Sequence, residues 1–156
     1  MKVYIKGGSK SQKEYARSII DFCANKLMSK RLANSLIVKL HFTPLYEKHK
    51  QMGNCIWEDD SYRPKEFFLE IDPTARLRRV LESICHEMVH VKQFAKGEMR
   101  DLAGADRVSF LGQKYDLTED EYFDRPWEIE AHGRELGLFI RWAEKHNLGH
   151  LKWTHD

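Results

Sequence analysis

The chain has 156 residues, 42% hydrophobic and 12% aromatic, with 26 Lys and Arg against 24 Asp and Glu. That length supports one domain with its own core, residues 1–156 with the tail 149–156 peripheral, and that composition excludes a disordered or fibrous chain. No apolar run reaches the ~20 residues of a membrane-spanning helix, and Met1 to Gly8 lack the apolar stretch of a secretory signal, so a cytoplasmic protein with no membrane partner is expected.

The chain in order reads as an α+β protein. Val3-Tyr4-Ile5 is a short strand closed by Gly7-Gly8. Ser9 or Ser11 can cap a helix running to about Lys30, with Ala16, Ile19, Ile20, Cys23 and Leu27 facing inward. Residues 1–50 hold 11 Lys and Arg against 3 Asp and Glu, a net of +8, and residues 51–156 hold 15 against 21, a net of −6. The basic third, including Lys10, Lys13 and Arg17, could contact nucleic-acid phosphates, although such runs are usually a solvated helix face.

Residues 35–42 form a β-branched, apolar strand stopped near Pro44, and 45–52 a loop or short helical turn ending at Gly53. Residues 54–58 and 67–71 read as a hairpin. Asp72 is the expected cap, and Pro73 the first residue, of a helix that runs to about Ala95 and stops at Gly97. Arg107 to Tyr115 is a small extended pair with Gly112 in its turn, 116–124 an acidic connection, and 126–147 a last long helix ended near Gly149. The expected architecture is a small mixed sheet with an N-terminal helix, a central helix and a C-terminal helix. Cys23, Cys55 and Cys85 make no CxxC pair, so they read as small buried hydrophobes in a reducing compartment and cannot build a zinc ribbon.

The central helix carries His86-Glu87-x-x-His90. Four residues apart on a helix, both imidazoles project from one face and can reach one metal ion. Glu87, one residue round, can hold an activated water and accept its proton. Leu77, Val80, Leu81, Ile84, Met88 and Val91 recur at helical spacing, which places the helix in the interior. Two histidines and a glutamate on a buried helix need partners, and a metal supplies them.

A zinc site of this kind takes a third protein ligand and leaves one position open. Glu128 and Glu130 compete for that role. Glu130 shares a polar face with Arg134, Gly137 and Arg141, whereas Glu128 shares its face with Ala131, His132, Glu135, Leu138, Phe139 and Trp142. An inward carboxylate needs a partner, so Glu128 is the expected ligand. His132, four residues on, could orient Glu128, line the cleft, or be a satisfied core histidine.

His86, Glu87, His90 and a later Glu128 resemble the signature of small gluzincin metallopeptidases. Gly53–Glu58 followed by Phe67–Ile71 is similar to the edge-strand hairpin ahead of their active-site helix, and His90-Val91-Lys92-Gln93 resembles the continuation of that helix. Phe110-x-Gly112-x-x-Tyr115 and Arg125-Pro126-Trp127-Glu128-Ile129-Glu130-Ala131 look like segments of SprT-like and phage-encoded metallopeptidases. The resemblance covers roughly residues 53–135. It departs from SprT-like proteins in lacking a C-terminal zinc ribbon, and from the thermolysin group in placing His132 where an acidic residue follows the ligand glutamate by four.

The resemblance implies a zinc-dependent peptidase acting on a peptide or protein substrate, with Glu87 as general base and His86, His90 and Glu128 holding zinc. Tyr115, Tyr122 and His132 are candidate donors to the scissile carbonyl. The strand 54–58 would bind extended peptide by strand addition, with Trp57 lining that cleft or standing exposed at the strand end. Two other readings stay open: a nucleic-acid-associated protease, and a catalytically silent zinc-binding interaction module.

Overall fold

The computed structural model describes residues 1–103, 106–119 and 121–156. β1 (Lys2–Lys6) alternates exposed and half-buried residues, as a strand covered on one face should. α1 (Lys10–Leu27) starts at Ser9. The Ser9 hydroxyl accepts from the Gln12 N–H at 3.2 Å, and the Gln12 side chain accepts from the Ser9 N–H at 2.8 Å, a reciprocal cap. Ala16, Ile19, Ile20 and Cys23 face the core, while Lys10, Lys13, Arg17, Lys26 and Lys30 are exposed. The helix stops at Leu27 rather than near Lys30. Met28 is extended, and the Ser29 hydroxyl caps a separate helix, α2 (Lys30–Ser35), by accepting from the Leu32 N–H at 3.3 Å. A serine hydroxyl offers the backbone this alternative to a continuous helix.

β2 (Ile37–Phe42), β3 (Gly53–Trp57) and β4 (Glu66–Ile71) complete a four-stranded sheet ordered β1-β2-β4-β3. β1, β2 and β4 run parallel, and β3 pairs antiparallel with β4 alone, so β3 is an edge. Between β2 and β3 lies the expected helical turn, α3 (Tyr46–His49). Val38, Leu40, Phe67 and Leu69 are fully buried on one sheet face, and the alternate residues Lys39, His41, Phe68 and Glu70 stay partly exposed. The helices therefore cover one face only.

α4 (Leu77–Ala95) is buried on nearly all sides from Val80 to Ala95. It starts later than Asp72-Pro73 suggests. Its N-cap is Arg76, which makes no side-chain cap bond. The Asp72 carboxylate accepts instead from the Leu45 and Tyr46 N–H groups, 2.7 Å each, and from the Thr74 N–H and hydroxyl. Parallel pairing of β2 and β4 ends both strands together, which brings Asp72 beside the unsatisfied first N–H groups of α3. At the far end Gly97 takes φ 72°, and its N–H bonds Phe94 O at 2.9 Å.

β5 (Met99–Asp101), β6 (Arg107–Phe110) and β7 (Gln113–Asp116) form a second, antiparallel sheet. β6 and β7 are the expected pair around Gly112. β5 was not foreseen, because three residues carry no readable alternation. The acidic connection 116–124 is described except at Asp120 and closes in a 3-10 turn, Tyr122–Asp124. α5 (Pro126–Lys145) opens on its proline and ends two residues earlier than expected, with Asn147 at φ 54°. The tail packs down: the Trp153 ring lies 5.1 Å from Tyr15 and 6.4 Å from Phe139, and Arg78 donates to Thr154 O at 3.0 Å. The fold is α+β. Among the described residues no helix is long and apolar enough to cross a membrane.

Candidate metal centre

α4 and α5 pack against each other and bring together side chains 42 positions apart. His86 and His90 stand one turn apart on α4, their Nε2 atoms 3.1 Å from each other. Glu128, in the first turn of α5, places Oε2 3.3 Å from His86 Nε2 and 3.5 Å from His90 Nε2. All three side chains are buried. Ligand atoms ~2.0–2.1 Å from a tetrahedral ion lie about 3.3 Å apart, which the three distances bracket. His86, His90 and Glu128 are therefore close enough together to hold a metal ion.

The protons on the two rings agree with that. The Gln93 amide nitrogen donates to Trp127 O and to Glu130 Oε2, 3.0 Å each, so its oxygen is the atom 2.8 Å from His90 Nδ1. His90 must then donate from Nδ1, which leaves its Nε2 lone pair facing Glu128. His86 Nδ1 lies 2.8 Å from Glu135 Oε2, which when ionised can only accept, so Nδ1 carries a proton and the neutral ring presents a bare Nε2. Two lone pairs and a carboxylate oxygen converging at 3.1–3.5 Å repel one another unless a cation or a proton lies among them. Burial pulls the His86 pKa down, but hydrogen bonds to Glu128 and Glu135 outweigh it and hold the ring at about 9. Burial pushes Glu128 up, and its bonds to His86, His90 and Tyr122 hold it well below the usual carboxylate range.

Glu87 points to the same cleft and forms no hydrogen bond or ion pair among the described residues. Burial raises its pKa. Room for its carboxylate comes from β3: a Cβ on Gly53 would sit 2.5 Å from Glu87 Oε1 and 3.0 Å from its Cγ. The first residue of the edge strand is thus shaped to the glutamate. Cys55, also on β3, is half-buried beside the cleft. Burial, and the Glu87 charge after it, push its thiol up, so it stays protonated and offers no thiolate ligand. Cys23 and Cys85 are core residues, as expected.

Glu130 takes the other fate. It bonds Lys92 Nζ at 2.6 Å, Gln93 at 3.0 Å and, as its four-residue spacing implies, Arg134 at 3.0 Å. The Tyr122 hydroxyl donates to Glu128 Oε2 at 2.7 Å, in the cleft. Tyr115 packs edge-on against Trp127 at 5.4 Å instead. His132 leans on Glu135, Nδ1 to Oε2 3.4 Å, rather than orienting Glu128, and its ring lies 4.4 Å from that of His86. His86, His132 and Glu135 form a second triplet near enough to hold an ion. Arg79 already neutralises Glu135 at 2.9 Å, which leaves the fully buried Glu128 triplet the better cation site. Trp57 neither lines the cleft nor stands free; it packs on Phe94 at 4.4 Å.

Sequence reasoning gave no role to Glu135, Gln93, Arg79 or Gly53. Glu135 lies seven residues after Glu128, two turns along one face, and Gln93 lies three after His90, so both carried a spacing signal. Gly53 carried none, because its role depends on a contact across the fold. Comparison of the chain with family models, curated proteins and solved structures gives no match, so any functional reading rests on this geometry.

Proposed function

We propose that this protein is a zinc-dependent metallopeptidase, with zinc held by His86, His90 and Glu128. One observation carries the reading: both histidines turn Nε2 towards Glu128 while Glu87, with no hydrogen bond or ion pair among the described residues, lies beside them over Gly53. Two imidazoles and one carboxylate suit zinc, whereas magnesium and calcium favour all-oxygen sites. Bound there, zinc would supply Lewis acidity to a carbonyl and acidify a water.

The chain supplies the remainder. Glu87, with a pKa raised by burial, accepts a proton from the attacking water and returns it to the leaving amine. Tyr122 is the donor best placed for the substrate carbonyl, since its hydroxyl is already in the cleft and half-exposed. Glu135 and Gln93 fix the ring orientations of His86 and His90. β3, unpaired on its outer side among the described residues, offers backbone groups to an extended peptide.

The test pairs bound zinc with cleavage of an unstructured protein such as casein. Glu87→Gln should keep the zinc, because Glu87 is no ligand, and lose on the order of 10²–10⁴ in rate. His86→Ala should lose zinc and cleavage together. A Glu87→Gln variant that cleaves as fast as its parent refutes the mechanism.

A further inference from the structure

The cleft has two chemically different ends, separated by Glu87 and Tyr122. Beyond the first turn before His86 is a cavity of about 400 Å³, whose walls include Lys50, Arg79, Ser83, Phe123 and His132. Past His90 is a smaller one of about 200 Å³, walled by Cys55, Phe94, Met99 and Trp127. The second end is apolar, apart from the site residues themselves, Gln51 and Asn54. The first end is cationic. Glu87 is the only carboxylate among its lining residues.

Its cations are partly uncommitted. Lys50 makes no ion pair among the described residues; its ammonium lies 5.3 Å from the Tyr46 ring. Arg79 places Nη1 against Glu135 at 2.9 Å and Glu82 at 3.5 Å, and its other N–H groups bond no described residue. The Lys50 ammonium and the remaining N–H groups of Arg79, beside a space of this size, can receive an anionic group.

We propose that this cavity selects a carboxylate on the substrate, next to the scissile bond, while the Trp127 end takes an apolar side chain. The proposal rests on the peptidase reading above. It also predicts polarity. The chain entering β3 runs from the cationic end, at Lys50 and Met52, past Gln51 and Gly53, which border both cavities, to the apolar end, at Asn54 and Cys55. A peptide added antiparallel, the pairing more stable per residue, runs the other way. The carboxylate then lies C-terminal to the cleaved bond. It can come from an Asp or Glu side chain or from the peptide's own C-terminus.

The experiment has two arms. In the first, zinc-loaded protein is given C-terminally amidated peptides carrying Glu, Gln or Lys just after an apolar residue, together with the Gln peptide as free acid ending at that residue. The amidated Glu peptide should exceed Gln in kcat/KM by about tenfold and Lys by more, and Lys50→Glu should reverse the order of Glu and Lys. A free acid that outruns every amide assigns the cavity to the chain terminus instead of the side chain. In the second arm, zinc-loaded Glu87→Gln protein, which need not cleave, is titrated with hydroxamates bearing a propionate, butyl or aminobutyl side chain. The propionate should bind tightest, again by about tenfold. Equal cleavage and equal binding of charged and neutral probes overturn the carboxylate cavity and leave the peptidase reading intact. Charge-selective binding with no cleavage of any peptide does the opposite. Absence of hydroxamate binding overturns the cavity.

Discussion

Gly53→Ala isolates the link between the edge strand and the proposed base. The new methyl carbon would lie 2.5 Å from Glu87 Oε1, and ordinary contact begins at 3.4 Å, so the carboxylate must retreat by about 0.9 Å. Nothing else has to move far, because the obstructing atoms belong to one side chain. The backbone tolerates alanine: Gly53 is not among the glycines with positive φ, and alanine in a strand is better than glycine by roughly 0.5–1 kcal/mol. Misplacement of a catalytic group by ~1 Å costs about 10²-fold, equal to ~2.7 kcal/mol in the barrier. The variant should bind zinc with parental stoichiometry, melt no lower than the parent, and cleave casein about a hundredfold more slowly. Melting, metal analysis and cleavage of the same preparation separate the cases. Cleavage within about threefold of the parent would show that the position of Glu87 is not critical, and the base assignment would fall.

Other substitutions and conditions have equally definite outcomes. Glu128→Gln should lose zinc by metal analysis, whereas Glu130→Gln should keep it and instead melt lower, since buried Lys92 then retains, among the described residues, Glu98 alone as a carboxylate partner at 2.6 Å. Bonds to Glu128 and Glu135 keep His86 protonated up to about pH 9, and zinc must displace that proton, so affinity measured by competition with a chelator should fall about tenfold per pH unit below that value. Glu135→Gln should weaken zinc affinity roughly 10–100-fold without abolishing binding, because the ring of His86 loses its charged partner. Burial would raise the pKa of Asp72, but bonds from Thr74, Tyr46 and Leu45 prevail and depress it to about 2. Its stabilisation, on the order of 2 kcal/mol, should be complete above about pH 4 and disappear towards pH 2; in urea melts Asp72→Asn should be less stable at pH 7 and should close that gap near pH 2.

What could be read from the sequence was what lies within a few turns of itself. The His86–His90 pair, the inward face of α5 that holds Glu128, and the Ser9 and Pro126 helix starts all depend on local sequence, and the structure agrees with them. Asp72 shows where such reasoning stops. It has the composition and position of a helix cap, but strand pairing brought it nearer to another helix, and those N–H groups captured it. His132 shows the same limit. Its spacing from Glu128 was correct for a partner, yet Glu135 lay closer in three dimensions. The cationic cavity draws Lys50 and Arg79 from segments with no shared pattern, and only the packing of α4 beside β3 brings them together.

The position of the three proposed ligands makes the ion a crosslink as well as a reagent. Two ligands come from the centre of α4 and one from the first turn of α5, and the 41 residues between His90's helix partner His86 and Glu128 include the whole second sheet. An ion that joins them closes a loop of that length in the folded chain and shortens the reach of the unfolded one. Loop closure of this size is worth on the order of a few kcal/mol. The burden of holding β5, β6 and β7 against the helices would then be shared between side-chain packing and a single coordination sphere. A chelator would act first as a mechanical release, loosening α5 from α4 and letting the small sheet swing, before it acted as an inhibitor.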